Sequence, residues 1–350
     1  MDSNALPTDR FHRRQFLKSL SATLAVSALP WNQSVWAESA PTSDQFGKLL
    51  PTRPLGRSGV PVTTLCVGGG HVISDMDEAG AEQAIDQAME SGIRFFDTAE
   101  SYGKGASEER YGRYLCPKYR EAIYLMTKTR ARTAKEAEEH LEGSLSRMKT
   151  DVIDLWQIHD ITSPEDVDER LDNGVLDFML KAQAAGKVKQ LGFTGHTHPA
   201  AFTHMIKRLD ARGTPLAAAQ MPINVVDPHY LSFLVNVLPV LVDKGYGVLA
   251  MKTLAYGQLL GKQTSWKKDR RAPQKPVVGE MISLEEALGF AWSLPIASLV
   301  SGMTNPAEIK QNAGICRSYP DLDDTARTQL IEKVADQGGP MVEFYKAASA

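Results

Sequence analysis

Eight apolar runs of buried-strand length begin near Val62, Ile93, Ala122, Val152, Val188, Ala217, Gly247 and Ala297, at separations of 31, 29, 30, 36, 29, 30 and 50 residues. The runs are continuous rather than alternating, as in strands covered on both faces. Between them lie stretches with helical character, among them 77–91, 134–148, 175–185 and 283–292. A strand, a helix and two loops occupy about thirty residues, so eight unbroken cycles predict an α/β chain folded as a (β/α)8 TIM barrel of parallel strands. The rival is an open doubly wound sheet, with about six strands in its commonest form. It fits less well, because eight units recur and no Gly-x-Gly-x-x-Gly follows the first strand. Gly68-Gly69-Gly70 lacks that spacing.

Two departures from the repeat stand out. The stretch 255–282, after the seventh strand, is an insertion carrying Trp266, Lys267, Lys268, Arg270 and Arg271, and reads as a long loop at the active-site end. After the eighth unit, a helix over about 322–335 leads into a tail that can reach the barrel mouth. The expected division is therefore a leader over 1–37, a linker over 38–52, the barrel over 53–316, and a C-terminal helix and tail over 317–350.

The leader has a basic patch (Arg10, Arg13, Arg14, Lys18), a mildly apolar stretch from Leu20 to Leu29, and a small-residue cleavage site at Val35-Trp36-Ala37. This is the three-part layout of a secretory signal, and cleavage is expected after Ala37. The apolar stretch is about half the length of a spanning helix, so no stable membrane span is expected. Arg13-Arg14-Gln15-Phe16-Leu17-Lys18 resembles the twin-arginine (Tat) export signal, which makes the export machinery a partner and the periplasm the expected location.

The whole chain of 350 residues has a formal charge of −3. Loss of residues 1–37 removes four basic and two acidic residues and leaves 35 Lys and Arg against 40 Asp and Glu. That balance offers no basic field for a nucleic acid. Cys66, Cys116 and Cys316 are odd in number and far apart, so neither a disulfide framework nor a cysteine-metal site is readable.

In a barrel of this kind the chemistry stands at the carboxyl ends of the strands. Strand two ends Phe95-Phe96-Asp97 and runs on to Tyr102; strand three ends Thr127-Lys128; strand four ends Gln157-Ile158-His159. An acid, an ammonium, an imidazole and a phenol on neighbouring strands suit reduction of a carbonyl. As hydride reaches the carbon, charge builds on oxygen, and a tyrosine hydroxyl beside a lysine can supply the proton because the cation stabilises the phenolate. Asp97 would give the buried Lys128 its counter-charge, and a neutral His159 would hydrogen-bond the carbonyl oxygen.

These residues resemble the aldo-keto reductase family over about 53–312. The resemblance is carried by Arg53-Pro54-Leu55-Gly56-Arg57-Ser58-Gly59, by Phe96-Asp97-Thr98-Ala99-Glu100-Ser101-Tyr102-Gly103, by Thr127-Lys128-Thr129, by Asp154-Leu155-Trp156-Gln157-Ile158-His159, and by Asn305-Pro306 with Asn312. It implies a catalytic tetrad of Asp97, Tyr102, Lys128 and His159. It also implies a nicotinamide dinucleotide, NAD(P)(H), bound without a Rossmann domain, a small-molecule carbonyl or alcohol substrate, and no metal. Coenzyme positions carried over are Gly70, Thr194, Gln220, Met251, Gly302, Thr304, Glu308 and Asn312. The family's Ser-Asn at strand five is here Thr194-Gly195, so His196 is expected to stand in for the asparagine. Its aromatic at strand seven is here Met251, whose thioether can cover a ring, followed by Lys252, which can reach a pyrophosphate. A carboxylate at Glu308 favours NAD(H) while leaving NADP(H) open, since the basic insertion can also supply charge.

Two rival readings follow from the same residues. His196-x-His198 with His159 would suit a metal-dependent barrel hydrolase, and a nucleotide-binding barrel without turnover would need no tetrad.

Overall fold

The computed structural model describes residues 41–70, 73–262, 275–319 and 321–347. The expected leader, the basic part of the insertion at 263–274 and His71 lie outside the described residues. Eight parallel strands close into a barrel: β1 (Leu65–Gly68), β2 (Phe95–Asp97), β3 (Tyr124–Thr129), β4 (Ile153–Ile158), β5 (Val188–Thr194), β6 (Ala218–Pro222), β7 (Gly247–Met251) and β8 (Ser298–Ser301). Each pairs with its sequence neighbours, and β8 returns to β1 with Leu299 opposite Leu65. The barrel expected from the apolar spacing is the fold of the chain.

Outside the staves lie α1 (Glu78–Glu90), α2 (Ala134–Met148), α3 (Pro164–Asp172), α4 (Val175–Ala184), α5 (Pro199–Ala211), α6 (Leu238–Asp243), α7 (Leu284–Trp292), α8 (Pro306–Ser318) and α9 (Asp324–Lys333). Their starts are written in the sequence. Asp77, Ser163, Asn305 and Asp323 cap α1, α3, α8 and α9 with side-chain oxygens, and Thr133-Glu136 and Ser283-Glu286 form reciprocal capping boxes on α2 and α7.

Side-chain alternation along the strands sorts the core into two parts. Phe95, Met126, Leu155, Ala218 and Leu249 belong to a small inner cluster, whereas Phe96, Leu125 and Trp156 join the large cluster between staves and helices. Two residues further along each strand, on the same inner face, stand Asp97, Lys128, Gln157, Gln220 and Met251. A mostly polar layer thus rests on an apolar one, and the strand period fixes which residues belong to it.

The opposite end is sealed by a hairpin, Thr52–Pro54 paired with Pro61–Thr63, whose Leu55 and Val62 complete the inner cluster. The apolar run beginning at Val62 therefore splits between this plug and β1. Gly56, at φ 51°, lets the plug lie against the start of β7, because a Cβ there would come within 2.1 Å of the Gly247 nitrogen. A smaller hairpin pairs Ser43–Asp44 with Gly47–Lys48, and Asp44 holds Arg94 ahead of β2 at 2.6 Å.

Candidate active site

Lys128 is buried in β3, and its ammonium spends all three protons: on Asp97 at the tip of β2, on the Thr98 carbonyl at 2.8 Å, and on the Tyr102 hydroxyl oxygen at 3.2 Å. An ammonium has no lone pair, so Tyr102 accepts from Lys128 and its own O–H points elsewhere. His159, just past β4, stands edge-on to the Tyr102 ring with centroids 5.6 Å apart, and its Nδ1 faces the Ser101 hydroxyl at 3.5 Å. The loop after β2 reverses sharply behind the phenol, with Gly103, Lys104 and Gly105 all at positive φ. On the other side Gly70, beyond β1, leaves room for the ring.

Burial sets the protonation states. It pushes the Tyr102 phenol up to about 12, against the pull of Lys128, so the proton is held at neutral pH. Burial and the nearby Lys128 and Arg130 charges hold His159 well below the ordinary histidine range, leaving a neutral ring. Desolvation alone would depress Lys128, but the Asp97 carboxylate and Tyr102 keep it above its usual value.

The aldo/keto reductase family model matches residues 64–332. The chain belongs to the aldo/keto reductase family. It is 28% identical over 332 residues to an oxidoreductase, YrpG, of Bacillus subtilis, a match covering 83% of this chain and 98% of that one. Over 279 residues it is 30% identical to a 6-dehydroglucose reductase of Novosphingobium aromaticivorans, covering 73% and 83% of the two chains. Its fold matches an aldo-keto reductase of Bacillus halodurans in holo form with a TM-score of 0.65 at 23% identity, over 82% of this chain and 96% of that one. The chain is accordingly an NAD(P)-dependent oxidoreductase.

The donor set fits that coenzyme. It can place a proton and bury a charge, but it supplies no hydride, and the three cysteines are free and buried. Among the described residues no three His, Cys, Asp or Glu side chains are grouped to hold a metal ion. The metal reading loses His198 in particular, which caps α5 by accepting from the Ala200 amide at 3.1 Å.

The reductase's other sequence-predicted positions ring the same mouth. Thr194 and Gln220 lie opposite each other on β5 and β6, and the Gln220 side-chain oxygen accepts from Gln157 at 2.9 Å. Met251 ends β7, packed against the inner cluster. Lys252 follows at φ 59°, its ammonium 4.5 Å from the centre of the Tyr256 ring; burial pushes it down to about 8. His196 lies 3.1 Å from Asp160 Oδ1, and its Nδ1 donates to the Tyr345 carbonyl at 3.3 Å. Beyond β8, Gly302 is exposed, Asn312 donates to Ser301 at 3.0 Å, and Glu308 turns back to accept from the Thr304 amide at 2.7 Å.

Two parts of the reductase mouth carry no motif. Asp160, at φ 62°, ties the tips of three strands together: it pairs with Arg130 beyond β3 at 2.8 Å and faces His196 beyond β5. The segment around Tyr345 is the second. Its signal in the sequence is only a short run, Glu343-Phe344-Tyr345-Lys346, dense in charged and aromatic side chains.

Proposed function

We propose that this reductase interconverts a carbonyl and an alcohol with Tyr102 as the general acid and base, and that it works after export by the twin-arginine route. The observation that carries the first part is the 3.2 Å hydrogen bond from Lys128 to Tyr102, made while Asp97 holds the ammonium charged. A bound reduced nicotinamide supplies the hydride. The chain supplies the rest. Tyr102 donates its proton to the carbonyl oxygen, Lys128 stabilises the phenolate left behind, and neutral His159 donates a hydrogen bond that orients the carbonyl and meets the growing charge. In the oxidative direction the same phenolate takes the alcohol proton.

Thr194, Gln220 and Met251 are assigned to the nicotinamide end; both His196 ring nitrogens face protein oxygens, Asp160 and the Tyr345 carbonyl, so His196 is assigned to holding the mouth rather than to the carboxamide. The Gln220 oxygen is engaged by Gln157, which leaves its amide nitrogen as the donor to a carboxamide. The start of α8, with Gly302, Thr304, Glu308 and Asn312, is assigned to the adenosine end. Purified protein supplied with NADH or NADPH and a panel of aldehydes, ketones and sugars tests the reading. Oxidation of neither coenzyme with any of them overturns it.

Export rests on the Arg13-Arg14-Gln15-Phe16-Leu17-Lys18 run and on the Ala37 cleavage site. Mature protein recovered from the periplasm should begin at Glu38. Changing Arg13 and Arg14 together to lysine should leave the precursor in the cytoplasm.

A further inference from the structure

The segment Glu343–Ala347 spends its polar groups on the barrel mouth rather than on water. Lys346 is fully buried and donates to Asp227 at 2.7 Å, to Glu343 at 2.8 Å and to the Tyr230 carbonyl at 2.8 Å. Glu343 in turn accepts from Asn224, just beyond β6, at 3.0 Å and from the Tyr345 hydroxyl at 3.0 Å. Asn224 also reaches the Lys252 carbonyl at 3.3 Å. The Tyr345 carbonyl accepts from His196, and the Ala347 amide donates to the Thr197 carbonyl at 3.0 Å. The segment is thereby pinned to the loops leaving β5, β6 and β7.

Closing the barrel does not require this, because the eight strands complete their own ring. Burying an ammonium and two carboxylates in one cluster carries a large desolvation penalty, so its effect is to fix geometry more than to add stability. What it fixes is Tyr345, set against His196 and 5.8 Å from the Lys252 ammonium, and Phe344, edge-on to Tyr256 at 5.9 Å. We infer that this segment is a strap across the coenzyme site, with Lys346 as its buried anchor and Tyr345 as its positioning residue, and that it slows release of the bound dinucleotide. The inference rests on the assignment of Thr194, Gln220 and Met251 to the nicotinamide. They stand two, four and one residues before His196, Asn224 and Lys252, which the segment meets, so a ring held by them lies beside the segment.

The test uses the full chain and two variants, Lys346→Met and Tyr345→Ala; should the first fold poorly, the second keeps the Lys346 ion pairs and loses the Tyr345 ring with its hydroxyl's bonds to Glu343 and Asn224. Release of NADH and NADPH is followed by stopped-flow fluorescence against excess oxidised coenzyme, and the hydride step by single turnover of preloaded protein. The expected result is release faster by about tenfold in both variants, the effect of losing one buried contact. The hydride step in single turnover should change by a much smaller factor than release in both variants. General structural damage would slow the hydride step as well. Release from Tyr345→Ala unchanged, in a parent that binds coenzyme, overturns the strap alone. A parent that binds neither coenzyme overturns the proposed mechanism, and the strap with it.

Discussion

Gly70 and Tyr102 are packed so closely that a Cβ on residue 70 would stand 3.0 Å from the phenol ring. The glycine is therefore a steric condition on the proton donor. Gly70→Ala asks the Tyr102 ring to give way by a few tenths of an ångström, a fraction of the roughly 1 Å misplacement that costs about a hundredfold in rate. Turnover is expected to fall severalfold while the melting temperature changes little, since Gly70 lies beyond β1 and is only part-buried. An alanine variant with parental turnover would mean that Tyr102 has slack at this side.

The phenol held up to about 12 makes the two directions of reaction respond differently to pH. Reduction needs the protonated form, which dominates at every ordinary assay pH, so its rate should be flat from about pH 6 to 9 apart from any inflection near 8 due to Lys252. Oxidation needs the phenolate and should rise about tenfold per pH unit through the same range. His159 is depressed, so no limb near the usual histidine value is expected. Tyr102→Phe should lower turnover by more than about a hundredfold with little change in coenzyme affinity. Stopped-flow profiles in both directions check these slopes, and Lys252→Gln should remove only the inflection near 8.

The barrel was legible, and so was the meeting of Asp97, Lys128 and His159 at one mouth, because strand spacing and strand alternation are read locally. Strand spacing is a property of neighbouring residues, and Asp97, Lys128 and His159 each sit two or four places beyond an apolar residue of the inner cluster on the same strand. Other features were hidden by distance or by ambiguous pattern. Val62 lies in an apolar run that extends into β1, and apolar content alone cannot separate the plug hairpin from the stave. The acidic stretch that forms α3 has little apolar periodicity. It is held instead by its Ser163 cap and by Asp166, which pairs with Arg170 at 3.0 Å and with Arg132 at 2.5 Å. Lys346 meets a carboxylate that lies 119 residues earlier, a pairing no spacing rule reveals.

The buried Lys346 cluster has a further consequence for pH. Two carboxylates share one ammonium, and burial together with the Asp227 charge raises Glu343 from an ordinary 4.5 to about 7. A group raised in the docked state stabilises docking fully below its free value and loses that contribution as pH climbs through the docked value. Docking of residues 343–347 should therefore weaken by about tenfold between pH 6 and pH 8. Backbone hydrogen exchange of the segment across this range, taken as protection relative to the base-catalysed intrinsic rate at each pH, measures it. Glu343→Gln, which mimics the protonated acid, should flatten the dependence; a slope that persists in that variant would place the titration elsewhere.

Glu308 bears on coenzyme choice. Its carboxylate accepts from the Thr304 amide at 2.7 Å and hydroxyl at 3.0 Å, so it is fixed at the start of α8 rather than swinging in solvent. Lys262 lies 3.7 Å from its other oxygen and offsets only part of the charge. A fixed negative charge repels a ribose 2′-phosphate but accepts from a ribose hydroxyl. With this loop as the adenosine end, the parent should bind NADH more tightly than NADPH by about tenfold, or ~1.4 kcal/mol. Glu308→Gln keeps an acceptor for Thr304 while removing the charge, and should bring the two affinities together. Glu308→Arg should reverse their order. Fluorescence titrations of the three proteins with both reduced coenzymes decide it. Tighter NADPH binding by the parent would move the 2′-phosphate contact to another part of the mouth.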